Sequence, residues 1–523
     1  MKTLNADLVV IGGGSTGCGV ARDAAMRGFA VALVERADIA QGTSARFHGL
    51  LHSGGRYAVS DPESAAECAQ ENAIVKRIQP GAVEDTGGLF VALEGDEAAF
   101  GDKFLRGCAA AGVPHEEIAP AAALLLEPRL NPRLTRAVKV ADGAIDGWAM
   151  AWGAIRSAVA YGARVMRYTE VNGIELRHGR VAAVRCRDRK AGQDILIETG
   201  FVINTTGPWV GQVAALMGID DIDVVPGQGV MVGVAHRLAS RVINRLTKPG
   251  DGDILVPAHT ISVIGTTDTP AADPDQLTMP RAKIQQMLDS GEALVPGFRQ
   301  ARALHSWVGA RPLIKDSRVA ATDTRGMRRG MFIFDHAERD GVEGALTVAG
   351  GKLTTYRLMA QRAVDAMCDK LGDQRPCRTA DEPVPSREQR IHRVTDRLAA
   401  AEAGRAGDPL ICECELVGRA RLVELVKRYP DNSLDDLRRR TRLGMGPCQG
   451  GFCAPRAAGA ACQEGEWSAE RATAALRLFL RNRWAGQWPV LFGDLLRQVA
   501  LDHWSLYGAL DLAHVPPSQE VVL

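Results

Sequence analysis

The sequence predicts an α/β protein with a small α-helical module near its C-terminal end. A strand–helix–strand unit with a glycine-rich turn opens the chain, strand-like segments dominate about residues 224–335, and two cysteine pairs begin after residue 409. The chain has 523 residues, which is too many for one ordinary core, so we expect two to four domains.

The opening unit has the pattern of a dinucleotide-binding site. An apolar strand over 8–11 precedes a helix over 15–27, and a second strand over 31–34 ends beside Glu35. The turn between the first strand and the helix contains Gly12, Gly14 and Gly17. Glycines there let a pyrophosphate approach the helix N-terminus, and an acid after the second strand can accept ribose hydroxyls. The competing interpretation is a glycine-rich turn that only packs a helix on a sheet.

Later segments favour FAD over NAD as the dinucleotide. Small and hydroxyl residues after Glu35 lead into a glycine-rich arm, which suits an extended cofactor. Residues 204–209 follow another strand, and residues 350–356 follow a further strand and open a helix beside Lys352. A helix N-terminus with a nearby lysine stabilises an electron-rich reduced flavin.

The cysteines near the C-terminal end predict a metal centre. Cys412 and Cys414 form a C-x-C pair, and Cys448 and Cys453 form a C-x-x-x-x-C pair. The spacing is similar to that of bacterioferritin-associated-ferredoxin-like domains, and four thiolates can hold a [2Fe–2S] cluster. The alternative is a structural zinc site, although zinc sites usually show C-x-x-C pairs.

Four segments resemble the FAD-dependent glycerol-3-phosphate dehydrogenases, a group within the glycine/D-amino-acid oxidase-like flavoproteins. They are HGLLHSGGRYAV, SWVGARPL, FDHAERDG and GGKLTTYRLMA, in the same order as in that family. The resemblance implies a Rossmann-type FAD-binding domain over about 1–223 and 340–371, with an inserted antiparallel-sheet substrate domain over about 224–339. A linker over 372–408, a [2Fe–2S] domain over 409–462 and a helical region over 463–523 complete the expected order.

The same resemblance implies an activity and its residues. The expected reaction is oxidation of sn-glycerol 3-phosphate to dihydroxyacetone phosphate by hydride transfer to FAD. Substrate residues are expected at Arg56, Tyr57, Arg311, Arg329, Lys352 and Thr355, with Arg325 and Arg328 as competitors of Arg329. FAD contacts are expected at Gly12, Gly14, Gly17, Glu35, Thr43, Ser44, Gly49, Leu51, Val171, Thr206, Gly207, Gly351, Lys352, Leu353 and Thr354.

The catalytic base is not identified by the sequence. Some single-subunit relatives have a histidine in the stretch that matches residues 226–232, and this chain has none there. His52 is the nearest alternative, with Tyr57 or an ordered water as further candidates. A neutral histidine is a plausible base near neutral pH, although His52 could equally pack in the glycine arm or contact the flavin.

Charge and hydropathy restrict the partners. The net charge is +1, which gives no global field for nucleic acid. Neither a signal peptide nor a transmembrane segment is apparent, so we expect a cytoplasmic protein, peripheral on the inner face of the cell membrane. The family resemblance implies partner redox subunits of a membrane-associated dehydrogenase complex, with electrons passing through the cluster to quinone. The alternatives are a flavoenzyme for another small hydroxy acid or amine, and a non-catalytic electron-transfer protein.

Overall fold

The computed structural model describes residues 2–315, 330–385, 408–465 and 467–512, with residues 395, 398, 399, 402 and 403. Its first layer is a six-stranded sheet in which five strands run parallel and the last runs antiparallel. In spatial order the strands are Arg164–Met166, Val31–Val34, Leu8–Ile11, Val202–Asn204, Ala345–Gly350 and Met331–Asp335. The three strands at the centre of the parallel part are fully buried, as expected where a parallel sheet is covered on both faces.

Helices and a small sheet cover the two faces of this layer. Helices Ser15–Met26, Gly147–Ala160 and Tyr356–Leu371 pack together on one face. The other face packs against a four-stranded sheet and the short helix Val210–Ala215. The strands of that sheet are Lys2–Asn5, Asp194–Glu198, Arg180–Asp188 and Thr169–Arg177. The predicted Rossmann-type α/β layer is therefore confirmed.

The second large layer is a nine-stranded, mainly antiparallel sheet. Its strands are Thr269–Pro270, Val224–Ala235, Ala303–Ile314, Ile261–Gly265, Ile254–Ala258, Val242–Arg245, Gly88–Leu93, Leu134–Val140 and His115–Ile118. The sheet differs from the predicted substrate domain over about 224–339 in two respects. Three of its strands precede residue 224, and Met331–Asp335 joins the first sheet as its edge. Gly88–Leu93 is buried throughout, so its apolar pattern does not indicate which sheet it joins.

Short elements complete the FAD region. A three-stranded sheet consists of Leu50–Leu51, Gly143–Ile145 and Val83–Glu84. The remaining helices are Pro62–Ile78, Ala98–Ala110, Pro120–Leu126, Arg281–Leu294 and His336–Asp340.

Within its described residues, the C-terminal module has a short hairpin and five α-helices. The hairpin pairs Leu410–Cys412 with Val417–Gly418. The helices are Arg419–Arg428, Leu434–Thr441, Cys453–Glu464, Ala469–Gln487 and Asp494–His503. Leu422, Leu437 and Phe479 belong to one buried cluster, so the predicted regions 409–462 and 463–523 share a core rather than forming separate units. Among the described residues, no helix combines the length and hydropathy that crossing a membrane would need.

Candidate cofactor, substrate and iron–sulfur sites

A cavity of about 750 Å³ lies where the parallel strands of the first sheet end. Gly12, Glu35 and Thr205 follow three of these strands and line one side. Val308 and Arg311, on a strand of the nine-stranded sheet, line the other side. Open α/β sheets bind ligands at the carboxyl ends of their strands, so this cavity is the candidate cofactor and substrate site.

The glycine-rich turn has the geometry that a dinucleotide requires. Gly12 has a φ of +103°, which strains any residue with a side chain. A Cβ on Gly17 would lie 1.9 Å from the Gly12 carbonyl oxygen, so only glycine allows the helix to begin this close to the turn. The Glu35 carboxylate accepts hydrogen bonds from the backbone amides of Gly13 at 2.7 Å and Ala37 at 2.8 Å. Burial raises the pKa of Glu35. The helix N-terminus and the adjacent acid fit the pyrophosphate and ribose of a dinucleotide.

Most predicted FAD residues line the cavity. Those that do are Gly12, Gly14, Glu35, Thr43, Ser44, Val171, Thr206, Gly207, Gly351, Lys352 and Leu353. Four predicted residues lie outside the lining: Gly17, Gly49, Leu51 and Thr354. Leu51 is fully buried in the core of the first layer. The hydroxyl of Thr354 accepts a hydrogen bond from the backbone amide of His52 at 3.0 Å, so it orders the glycine arm.

Three predicted cationic side chains line the same cavity, and each is held by a neighbour. Both terminal nitrogens of Arg56 donate to Asp253, at 2.7 and 2.8 Å. Arg311 donates to Asp268 at 2.8 Å. The Lys352 ammonium donates to the Ser64 hydroxyl at 2.7 Å. These contacts fix the orientation of the three side chains that line the cavity.

The remaining predicted substrate residues differ in position. Tyr57 lines the cavity, and the Lys352 ammonium lies 4.7 Å from the centre of its ring. Thr355 is buried outside the lining and donates to the backbone carbonyl of Lys352 at 3.1 Å. Arg329 lies outside the described residues, as do its competitors Arg325 and Arg328.

Two histidines of the glycine arm line the cavity, and sequence reasoning named only one. His52 was predicted, and its ring centre lies 5.3 Å from that of Tyr57. His48 is the additional residue, with a ring centre 6.2 Å from that of His52. Burial lowers the pKa of His48 to about 3, so its imidazole is neutral at neutral pH and a weak base. The segment HGLLHSGGRYAV contains both histidines, so the same motif could have predicted His48 as a cavity residue.

The four predicted cysteine ligands come together from both pairs. Cys448 contacts both Cys414 and Cys453, and Cys453 also contacts Cys412. Hydrogen bonds from Cys414 and then Cys453 lower the pKa of Cys448, which favours its thiolate. A Cβ on Gly446 would lie 2.3 Å from the Cys414 Cβ, so the loop needs glycine there. None of the eleven cysteines, all within the described part of the chain, forms a disulfide.

The four linked cysteines supply the four thiolates that a [2Fe–2S] cluster spreads over its two irons. A tetrahedral zinc site would use the same four ligands.

Buried ion pairs fix the cysteine module on the FAD region. Asp38 lies three residues after Glu35 and is fully buried. It accepts from Arg167 at 3.0 Å and from Arg439, on a helix of the module, at 2.9 Å. Arg442 spans the same contact, donating to Glu415 at 3.1 Å and to Asp146 at 3.2 Å. The module is therefore docked through charges that are largely shielded from water.

Comparison with known proteins agrees with both sites. The family described as FAD dependent oxidoreductase matches residues 7–357, and the BFD-like [2Fe-2S] binding domain matches residues 410–459. One of the subunits of the anaerobic glycerol-3-phosphate dehydrogenase of Escherichia coli K12 is 42% identical over 542 aligned positions, covering 98% of each chain. The chain belongs to this family of anaerobic glycerol-3-phosphate dehydrogenase subunits.

Solved structures support the fold of this family member. The glycerol-3-phosphate dehydrogenase from Bacillus halodurans, complexed with FAD, has a TM-score of 0.65 at 22% identity and covers 94% of this chain and 96% of its own. The glycine oxidase from Geobacillus kaustophilus has a TM-score of 0.57 at 21% identity, covering 74% of this chain and 99% of its own. The predicted glycine/D-amino-acid oxidase-like fold, the FAD cofactor and the [2Fe–2S] domain are confirmed.

Proposed function

We propose that this chain oxidises sn-glycerol 3-phosphate to dihydroxyacetone phosphate and passes the electrons out through its cluster. The observation that carries the proposal is the set of three held cations, Arg56, Arg311 and Lys352, in the cavity that begins at the dinucleotide turn. The name of the E. coli relative supports the same substrate.

The charge of the site favours a phosphate over a carboxylate. Glycerol 3-phosphate is a dianion, and its binding needs several cationic donors close together. Arginine suits phosphate because its planar guanidinium presents paired donors. A hydroxy acid or amino acid would need only one or two such donors, and three cations in one lining support the phosphate ester.

Oxidation of the secondary alcohol removes two electrons and two protons. Bound FAD supplies the acceptor for the hydride, which carries two electrons and one proton from substrate C2. The second proton leaves the hydroxyl group and needs a base at the cavity. We assign His52 this role, because it lines the cavity while buried His48 has its pKa lowered to about 3 by burial.

The segment at Gly351 and Lys352 would stabilise the reduced cofactor. The strand Ala345–Gly350 ends just before Gly351, and the helix Tyr356–Leu371 begins a few residues later. The ammonium of Lys352 and the helix N-terminus would supply positive charge that stabilises a bound reduced flavin.

We further propose that the electrons pass to partner redox subunits and then to quinone, at the inner face of the cell membrane. The E. coli relative is named as one subunit of its enzyme, which implies that others exist. A [2Fe–2S] cluster accepts one electron at a time, so it suits onward transfer from a two-electron flavin. Peripheral attachment through partners accords with the lack of a membrane-crossing helix among the described residues.

The decisive experiment compares substrates on the purified FAD-loaded chain with an artificial dye as acceptor. Glycerol 3-phosphate should support dye reduction, whereas glycerol, lactate and glycine should support little. Preferential turnover of a hydroxy acid or amine would favour the related-flavoenzyme alternative. No turnover with any of them, while FAD and iron remain bound, would favour a non-catalytic electron-transfer protein.

A further inference from the structure

An arginine outside the substrate cavity lies against the second cysteine loop. Arg483 is on helix Ala469–Gln487 and is only 4% exposed. It donates to the backbone carbonyl of Cys448 at 2.9 Å, and it reaches the Asp502 carboxylate at 3.3 Å. The side chain therefore contacts the loop that supplies Cys448 and Cys453, although no sequence motif draws attention to it.

Part of this guanidinium has no partner among the described residues. Its Nε and Nη1 groups are buried and make no hydrogen bond to those residues. A Cβ on Gly450 would lie 3.3 Å from Nη1, so that nitrogen lies beside the cysteine loop. A buried donor left unpaired is destabilising, and more so when the group is charged. Native proteins retain few such groups, and those they retain call for an explanation such as a bound ion or cofactor.

We propose that Arg483 is a positioning residue that sets the redox balance of the [2Fe–2S] cluster. Reduction adds one negative charge to a cluster bound by four thiolates. A positive charge held beside Cys448 in a dry environment stabilises the reduced form more than the oxidised form. Hydrogen bonds and charges around the sulfurs are known determinants of cluster potential.

Asp502 supplies a test of sign. Its carboxylate pairs with Arg483 and lies against Gly451, since a Cβ there would be 2.3 Å from the Asp502 Oδ1. A negative charge next to the same loop opposes reduction. Replacing Arg483 and replacing Asp502 should therefore shift the cluster potential in opposite directions, which a loss of packing alone does not predict.

The inference rests on the proposed role of the cluster, and its test does not use substrate. We would titrate the full FAD-loaded and iron-loaded chain with dithionite at pH 8 and follow the reduced cluster by EPR. R483Q should lower the equilibrium constant for one-electron reduction of the cluster about tenfold, which corresponds to a midpoint potential lower by about 59 mV. R483K, which keeps the charge, should lower the cluster potential by a smaller amount. D502N should raise the cluster potential. R481Q is the matched control, because Arg481 is exposed on the same helix, and its potential should not change.

Iron content and FAD content measured on each variant distinguish a potential shift from loss of the cofactors. If R483Q loses its iron, R483K and D502N still decide the question. The proposal would be overturned if the cluster potentials of R483K and D502N both equalled the parental value. It would also be overturned if R483Q and D502N shifted the potential in the same direction. Failure of substrate oxidation with the expected shifts intact would instead count against the proposed function alone.

Discussion

The docking of the cysteine module on buried charges predicts a large effect from one substitution. Arg439→Met removes the charge but keeps a side chain of similar length. The Arg439–Asp38 pair is 5% and 0% exposed, and breaking a buried pair typically costs about 3–5 kcal/mol. Arg439 also pairs with the buried Asp436. After the substitution Asp38 keeps its ion pair with Arg167, and Asp436 keeps its hydrogen bonds from Ser433. We therefore expect the lower end of that range, about 3 kcal/mol.

Urea unfolding of the loaded protein measures this loss, with flavin fluorescence and cluster absorbance as separate probes. A chain with several cores need not unfold in one step, so the free energy should be derived for each probe. The matched control is Arg421→Met, which breaks a partly exposed pair with Glu424 and should cost at most about 1 kcal/mol. If Arg439→Met lowers the free energy of unfolding no more than Arg421→Met does, buried charges do not hold the module on the FAD region.

Four further outcomes follow from the sites. Arg311→Gln should raise the KM for glycerol 3-phosphate roughly 10- to 100-fold, which corresponds to about 1.5–3 kcal/mol of lost binding free energy. An unchanged KM in steady-state kinetics would exclude Arg311 from the phosphate site. Glu35→Ala should raise the Kd for FAD, measured by equilibrium dialysis, at least about tenfold, which corresponds to about 1.4 kcal/mol of binding free energy. An unchanged affinity for FAD would exclude the contact between Glu35 and the ribose. Elemental analysis should find about two irons per chain, whereas zinc alone would contradict the cluster. Burial lowers the pKa of the His48 and His305 imidazoles to about 3, from about 6.5 in the unfolded chain. The stability that these two side chains contribute is therefore present above pH 6.5 and declines as the pH falls toward 3. Equal urea midpoints at pH 7.5 and pH 5 would contradict this.

The parts of the fold that depend on local sequence were predictable. The turn at Gly12 and the helix after it follow from glycine conformation and apolar patterning, and the structure agrees within a residue. The cysteine module was predictable from spacing, because Cys448 and Cys453 lie close in sequence and one helix begins at Cys453. In these cases neighbouring residues determine the geometry.

The parts that depend on distant contacts were not predictable. Asp38 and Arg439 are 401 positions apart, and in sequence each has the appearance of an ordinary surface charge. The sheet that receives Gly88–Leu93 is set by its pairing with Val242–Arg245, which apolar patterning cannot specify. Arg483 was missed for the same reason, since only the folded chain shows that its guanidinium is buried beside Cys448.

The most direct test of the central claim is anaerobic rapid mixing of the loaded chain with glycerol 3-phosphate, followed at flavin and cluster wavelengths. We predict that the flavin bleaches first and that the cluster is reduced afterwards. In Cys448→Ser the flavin should bleach at close to the parental rate, because hydride transfer needs only the FAD cavity, while transfer to a quinone acceptor should fall sharply. A flavin that stays oxidised in the parental chain, or quinone-linked turnover that survives loss of the cluster, would contradict the account.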